Sequence, residues 1–221
     1  GRNGSGKSTL LQTLAGLLPS LAGQMMIKTS ERHCPEPTLH ADAHSIVGKV
    51  QQSGVQPLCE ESSSGATTQE QWIIDFSSLS PAERARWVSI VLPTTPEVPP
   101  LTVLEVVQLG RLPHRHASLS QRDATTFVDS VLHRCGIAHL ASRPMHALSD
   151  GQRQRVMLAR AVAQDTPLML LDEPTNFLDF QATQEVFQLL SHLAHEEKKL
   201  VIVATHHLDW AQHHAHPVLQ L

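Results

Sequence analysis

With 221 residues, 41% of them hydrophobic, and a formal net charge of −4, the chain can bury one sizeable α/β core and lacks the basic surplus that a nucleic-acid surface requires. Three cysteines (Cys34, Cys59 and Cys135), far apart and odd in number, exclude a disulfide framework and favour a reducing compartment. No apolar run approaches the length of a membrane-spanning helix, and no signal peptide is visible.

The first nine residues read GRNGSGKST. In the pattern G-x-x-x-x-G-K-[ST], Gly1 and Gly6, helped by Gly4, let backbone N–H groups curl around phosphate oxygens more closely than a Cβ would permit. Lys7 then reaches the outer phosphates, and the Ser8 hydroxyl is placed to ligate Mg²⁺. The run TLLQTLAGLL that follows has helical spacing, so a helix N-terminus points its partial positive charge at the anion. A buried strand ordinarily delivers the chain into such a loop. None precedes Gly1, so the chain is expected to be an N-terminally incomplete piece of a longer domain.

A short strand is predicted at 24–28. From 29 to 69 the sequence turns polar and irregular, with Pro35, Pro37 and Pro57 and the run ESSSG, and shows neither helical nor strand periodicity, so a largely disordered insert is expected. Cys34, His40, His44 and Cys59 would make four zinc ligands, but no C-x-x-C pair anchors them. The other histidines, among them His114, His116, His207, His213, His214 and His216, also lack zinc spacing and read as solvated side chains.

Order returns at WIIDF. The segment SPAERARW has Ser80 as N-cap, Pro81 at the first helical position and Glu83 three residues after the cap, and WVSIVL is the next strand. A proline-rich turn leads to LTVLEVVQLGRLPH, where Val103, Val106, Val107 and Gly110 share a helical face. A further helix is predicted over 120–137, with Phe127, Val128, Val131 and Leu132 as its stripe. From 149 the predicted order is helix, strand LMLLD, helix over 181–196, strand LVIVAT, a short helix and a last strand PVLQL. That alternation implies a parallel sheet covered on both faces, with sites at the carboxyl ends of its strands.

Two adjacent acids close the strand LMLLDEP. Asp172 is suited to hold Mg²⁺ through its water shell, and Glu173 to polarise the water that attacks a γ-phosphate, although acids also end strands simply where a chain surfaces. In LSDGQRQR, Ser149 and Gln152 make a capping box and Asp150 suits the positive end of the helix dipole. The same capped terminus, with Gly151 at its mouth, is also an anion site, and because the chain already has a phosphate loop it would serve another subunit's nucleotide.

The phosphate loop, LSDGQ, DEPT, FLD and TH, in this order, resemble the ATP-binding cassette ATPases over nearly the whole chain apart from the insert. The resemblance implies an α/β fold of the P-loop NTPase type: a RecA-like parallel sheet core with an inserted helical subdomain and a truncated antiparallel β-subdomain. It further implies one domain over 1–221, with core segments 1–28, 70–92 and 166–221, the insert at 29–69 and the helical signature subdomain at 99–165. Cassettes of this kind form head-to-tail dimers that sandwich two ATP molecules. By resemblance Gly1, Arg2, Asn3, Gly4, Ser5, Gly6, Lys7, Ser8 and Thr9 form the phosphate loop, with Asn3 to Thr9 on the phosphates. Ser149, Gly151 and Gln152 contact the partner's ATP, Asp179 lies in the dimer-contact loop, and Ser8 and Asp172 serve Mg²⁺. Glu173 is the catalytic base, and His206 bridges it to the γ-phosphate.

LTVLEVVQLGRLPH is similar to the branch that imports iron–siderophore complexes, haem and cobalamin. That branch implies two permeases, an external binding protein, no nucleic acid, and a place on the cytoplasmic face of a bacterial inner membrane reached only through the permease. The chain departs from the family pattern in three places. Pro93 or Thr94 stands where a Mg²⁺-touching glutamine is usual, Asp150 where glycine is usual, and His207 where an acid is usual. The adenine-stacking ring of the family lies upstream of the phosphate loop. A soluble, non-transport cassette and a degenerate module without efficient hydrolysis remain as alternatives. Without the strand before Gly1, the chain is expected to bind ATP poorly and to leave a gap of about 10 Å, two strand spacings, between LVIVAT and PVLQL.

Overall fold

A computed structural model describes residues 6–18, 26–30, 55–58, 71–76, 79–93, 100–114 and 121–207. Among them, three parallel strands lie in the order β4 (Val88–Val91), β5 (Leu168–Asp172), β6 (Leu200–Ala204). The register pairs Val88 with Leu168 and Leu168 with Leu200. The period of two then sorts their side chains onto two faces. Met169 and Leu171 of β5, with Val91, Val201 and Val203, face the larger core. Leu168 and Leu170, with Val88, Ile90 and Ile202, face the smaller one.

Each face is covered by helices. α1 (Lys7–Leu14) drops Leu11 onto the smaller core beside Phe76, Leu79 and Trp87, the last residue of α2 (Pro81–Trp87). α3 (Val103–Leu109), α4 (Gln121–Arg134), α5 (Asp150–Ala163) and α6 (Phe180–His195) bury Val107, Val131, Val156 and Leu190 in the larger core. A fully buried leucine such as Leu170 stabilises the fold by about 2–3 kcal/mol relative to an exposed one, so β5, buried at every position, is the mechanical centre.

Local chemistry sets the helix starts. Ser80, Thr102 and Ser149 each close a reciprocal capping box, with Glu83, Glu105 and Gln152 respectively. The predicted helix over 181–196 starts earlier, at Phe180, because the Asp179 carboxylate accepts from the Ala182 N–H at 2.7 Å.

A second, antiparallel sheet has the order β1 (Met26–Ser30), β3 (Gln71–Asp75), β2 (Val55–Leu58). This corrects the expectation of disorder across 29–69: β1 runs on to Ser30, and β2 lies inside the segment. β2 escapes a periodicity reading because it is four residues long and holds Pro57, which an edge strand tolerates and an inner strand does not. The zinc set Cys34, His40, His44 and Cys59, and the predicted final strand with its gap, lie outside the described residues.

Candidate functional site

Carboxyl ends of parallel strands gather polar groups because side chains and backbone amides surface there from several elements. Asp172, the last residue of β5, shares the face of Leu168 and Leu170 by strand parity, which is the face that α1 covers. It is 1% exposed, and its Oδ2 has no hydrogen-bond partner. An ionised carboxylate buried with an empty oxygen is costly unless a cation or ordered water takes that oxygen. A hard divalent ion such as Mg²⁺ fits this donor, and Ser8, exposed in the first turn of α1, supplies a second oxygen on the same side of the sheet.

Glu173 leaves the strand in the left-handed region, with φ 48°. Three contacts beside the local turn hold it. Its N–H donates to the Ala204 carbonyl of β6 at 2.8 Å. Its own carbonyl accepts from the Asn176 N–H at 3.1 Å and from Gln154 Nε2 of α5 at 3.4 Å. Its carboxylate, with the side chain only 18% exposed, meets His206 Nδ1 at 2.8 Å. A carboxylate only accepts, so the imidazole donates from Nδ1, which leaves Nε2 turned to the solvent-facing side of a half-exposed ring.

The phosphate loop enters α1 through Gly6, whose φ of 84° suits glycine, and no side chain caps the helix. The first N–H groups of any helix lack an intrahelical carbonyl, which is the feature an anion site uses. Lys7, Ser8 and Thr9 are the first three residues of the helix, while Gly1, Arg2, Asn3, Gly4 and Ser5 lie outside the described residues.

Ser149, Gly151 and Gln152 open α5. Ser149 Oγ accepts from the Gln152 N–H at 3.3 Å, and the Ser149 N–H donates to Gln152 Oε1 at 3.1 Å. Asp150 holds its carboxylate in an ion pair with Arg153. The paired guanidinium offsets part of the repulsion that an acid here would exert on an anion. Gly151 lies under the turn that follows Glu173, and a Cβ on it would stand 2.6 Å from the Phe177 carbonyl oxygen. The three residues and Asp179 line one cleft of about 280 Å³ together with Phe177 and Arg155. The structure therefore brings two groups together separately: Asp172, Glu173 and His206 at the strand ends, and Ser149, Gly151, Gln152 and Asp179 around the cleft.

Pro93 is half-buried just after β4 and offers neither a donor nor a side-chain oxygen, while Thr94 lies outside the described residues. Gln154 escaped the sequence reading. Its signal was a polar residue in phase with Leu158, Ala161 and Val162 on the apolar stripe of α5.

Residues 1–176 match the profile of the family described as "ABC transporter". Among characterised proteins, the iron(3+)-hydroxamate import ATP-binding protein FhuC of Bacillus subtilis is 34% identical over 224 residues, covering 100% of this chain and 66% of that protein. The cobalamin import ATP-binding protein BtuD of Halobacterium salinarum is 32% identical over 211 residues, covering 96% of this chain and 42% of that protein. The chain thus spans between two fifths and about two thirds of the length of these relatives. An ATP-binding cassette solved as a dimer in a post-hydrolysis state with ADP and Pi superposes with a TM-score of 0.66 at 25% identity, over 96% of this chain and 74% of that one. The fold is that of a P-loop NTPase cassette.

Proposed function

Since the chain belongs to the ABC transporter family, we propose that it is the ATP-binding and ATP-hydrolysing part of an importer whose cargo is an iron–siderophore complex, haem or cobalamin. The names of the relatives support this class: one serves iron(3+)-hydroxamate import and another cobalamin import. Two copies would pair head to tail, each presenting its phosphate loop (Gly1, Arg2, Asn3, Gly4 and Ser5 with Gly6 to Thr9) to the Ser149–Gln152 terminus and Asp179 loop of the other. The pair would work on the cytoplasmic face of a bacterial inner membrane beneath two permeases fed by a binding protein. No helix among the described residues is long and apolar enough to cross a membrane, so contact with the bilayer would run through the permeases. In this reading 1–221 is one cassette domain, with 99–165 as its helical signature subdomain.

The observation that carries the proposal is the Glu173–His206 contact at the end of β5. Glu173 accepts a proton from a water as the water oxygen attacks the γ-phosphorus and the bond to ADP breaks. His206 fixes the carboxylate through Nδ1–H and turns Nε2 to the phosphate. Lys7 and the first N–H groups of α1 hold the phosphate oxygens. Mg²⁺ bound through Ser8 and Asp172 would neutralise charge on the β- and γ-phosphates.

A second reading, a nucleotide-binding module with weak hydrolysis, draws on Pro93, which cannot supply the oxygen that a glutamine would. One experiment decides between them. In the full-length protein, Glu173→Gln is expected to lower steady-state ATP turnover by about a hundredfold or more while ATP-dependent dimerisation persists. Equal turnover in the two proteins sinks the assignment of the base, and a wild-type protein that binds ATP without hydrolysing it favours the module.

A further inference from the structure

Gln154 does not belong where it is on packing grounds. It lies on the buried face of α5 and is 1% exposed, in a place that an apolar side chain of the same length would fill without polar atoms to satisfy. Its Oε1 has no partner, and burying an unpaired amide oxygen costs free energy. Its one described bond runs from Nε2 to the Glu173 carbonyl. Among the described residues, three of the five buried side-chain atoms without partners, on Gln154, Asp172 and Thr175, belong to this corner of the molecule.

Glu173 holds a left-handed backbone that a non-glycine residue adopts only when its surroundings over-determine it. The Ala204 bond comes from the neighbouring strand and the Asn176 bond from the turn itself. Among the described hydrogen bonds of Glu173, the one from Gln154 is the tie to α5. We propose that Gln154 is a positioning residue for the reaction: by holding the Glu173 carbonyl it aims the carboxylate, with His206, at the attacking water. The proposal rests on the reading of Glu173 as the base. Since Ser149 caps α5, the base is held by the same helix whose first turn meets the partner's nucleotide in the proposed dimer.

The test uses the full-length protein and two variants. Gln154→Met keeps length and volume and removes the donor. It is expected to lower kcat about tenfold to a hundredfold, with KM for ATP and ATP-dependent dimerisation within about twofold of wild type. Gln154→Glu restores the donor only when its buried carboxyl is protonated. Its kcat is therefore expected to recover toward wild type as pH falls, whereas a purely structural role gives no such recovery. Unchanged kcat in Gln154→Met, or a loss confined to KM or dimerisation, overturns the proposal. If Gln154→Met does not fold, a Gln154→Glu pH profile parallel to wild type overturns it. Glu173→Gln measured alongside keeps the two ideas apart: a dead Glu173→Gln beside a normal Gln154→Met removes only the positioning role, while an active Glu173→Gln removes the base.

Discussion

The two ends of α5 are built from similar side chains and do opposite work. At its N-terminus Ser149 and Gln152 cap each other at an exposed cleft, and Gly151 allows the 173–178 turn to approach. At its C-terminus the polar groups find protein partners. Gln164 donates to the carbonyls of Ala85 and Val88 at 2.7 and 3.0 Å, Arg111 to that of Ala163 at 3.1 Å, and His114 to that of Gln164 at 2.7 Å. The orphan carbonyls of a helix end must be satisfied, and here Arg111 and His114, from the segment after α3, do so. One helix thus has an end sealed against protein and an end open to solvent, where the proposed function puts a ligand, and changes at the two should separate stability from turnover.

The largest effect is expected at the open end. Ser149→Arg fills the mouth of the cleft and should lower ATP turnover by about a hundredfold, with a loss of about 1 kcal/mol in unfolding free energy for the missing cap. Steady-state hydrolysis and thermal melts check both parts. A turnover loss no greater than the stability loss explains would erase the distinction.

At the sealed end, Gly110→Ala places a Cβ 2.4 Å from the Arg160 carbonyl oxygen, where α3 crosses α5. It should cost about 1–3 kcal/mol of stability, read as a fall in Tm of about 2–4 °C per kcal/mol, with kcat per folded molecule unchanged.

The smallest effect concerns His114. Burial lowers its pKa, with Arg111 and Arg86 acting in the same direction and the Gln164 carbonyl and Asp165 opposing. The folded state therefore prefers the neutral ring. Its contribution is full above the ordinary histidine pKa of about 6.5 and is lost as pH falls through the lowered folded value. Urea unfolding across pH 5–7 should show wild type losing stability on acidification faster than His114→Gln, and parallel curves would contradict this.

How far the sequence revealed these features depends on how local their causes are. The caps at Ser80 and Ser149, the four apolar residues of β5 and the alternation behind the parallel sheet depend on neighbours within four residues, and all were legible. Asp179 was assigned only a dimer contact, yet it also starts α6, which is why that helix begins one residue early. β2 was not legible, because its partner β3 lies thirteen residues downstream and its own pattern is broken by Pro57. The importance of His206 came from family resemblance, since spacing alone does not say that a residue 33 positions later meets Glu173. Gln154 was invisible for the same reason: a helical pattern marks it as buried but does not show what its amide touches.

In the proposed dimer the catalytic unit is completed across two copies, with α1 gripping its own chain's ATP and the open end of α5 meeting the partner's. Mixing two individually inactive variants of the full-length protein, Lys7→Ala and Ser149→Arg, tests it most directly. Half of the dimers in an equal mixture are mixed, and each would hold one intact site, so turnover should return to about a quarter of wild type. If the mixture stays as inactive as its parts, the two helix ends serve the same chain's nucleotide and the account fails.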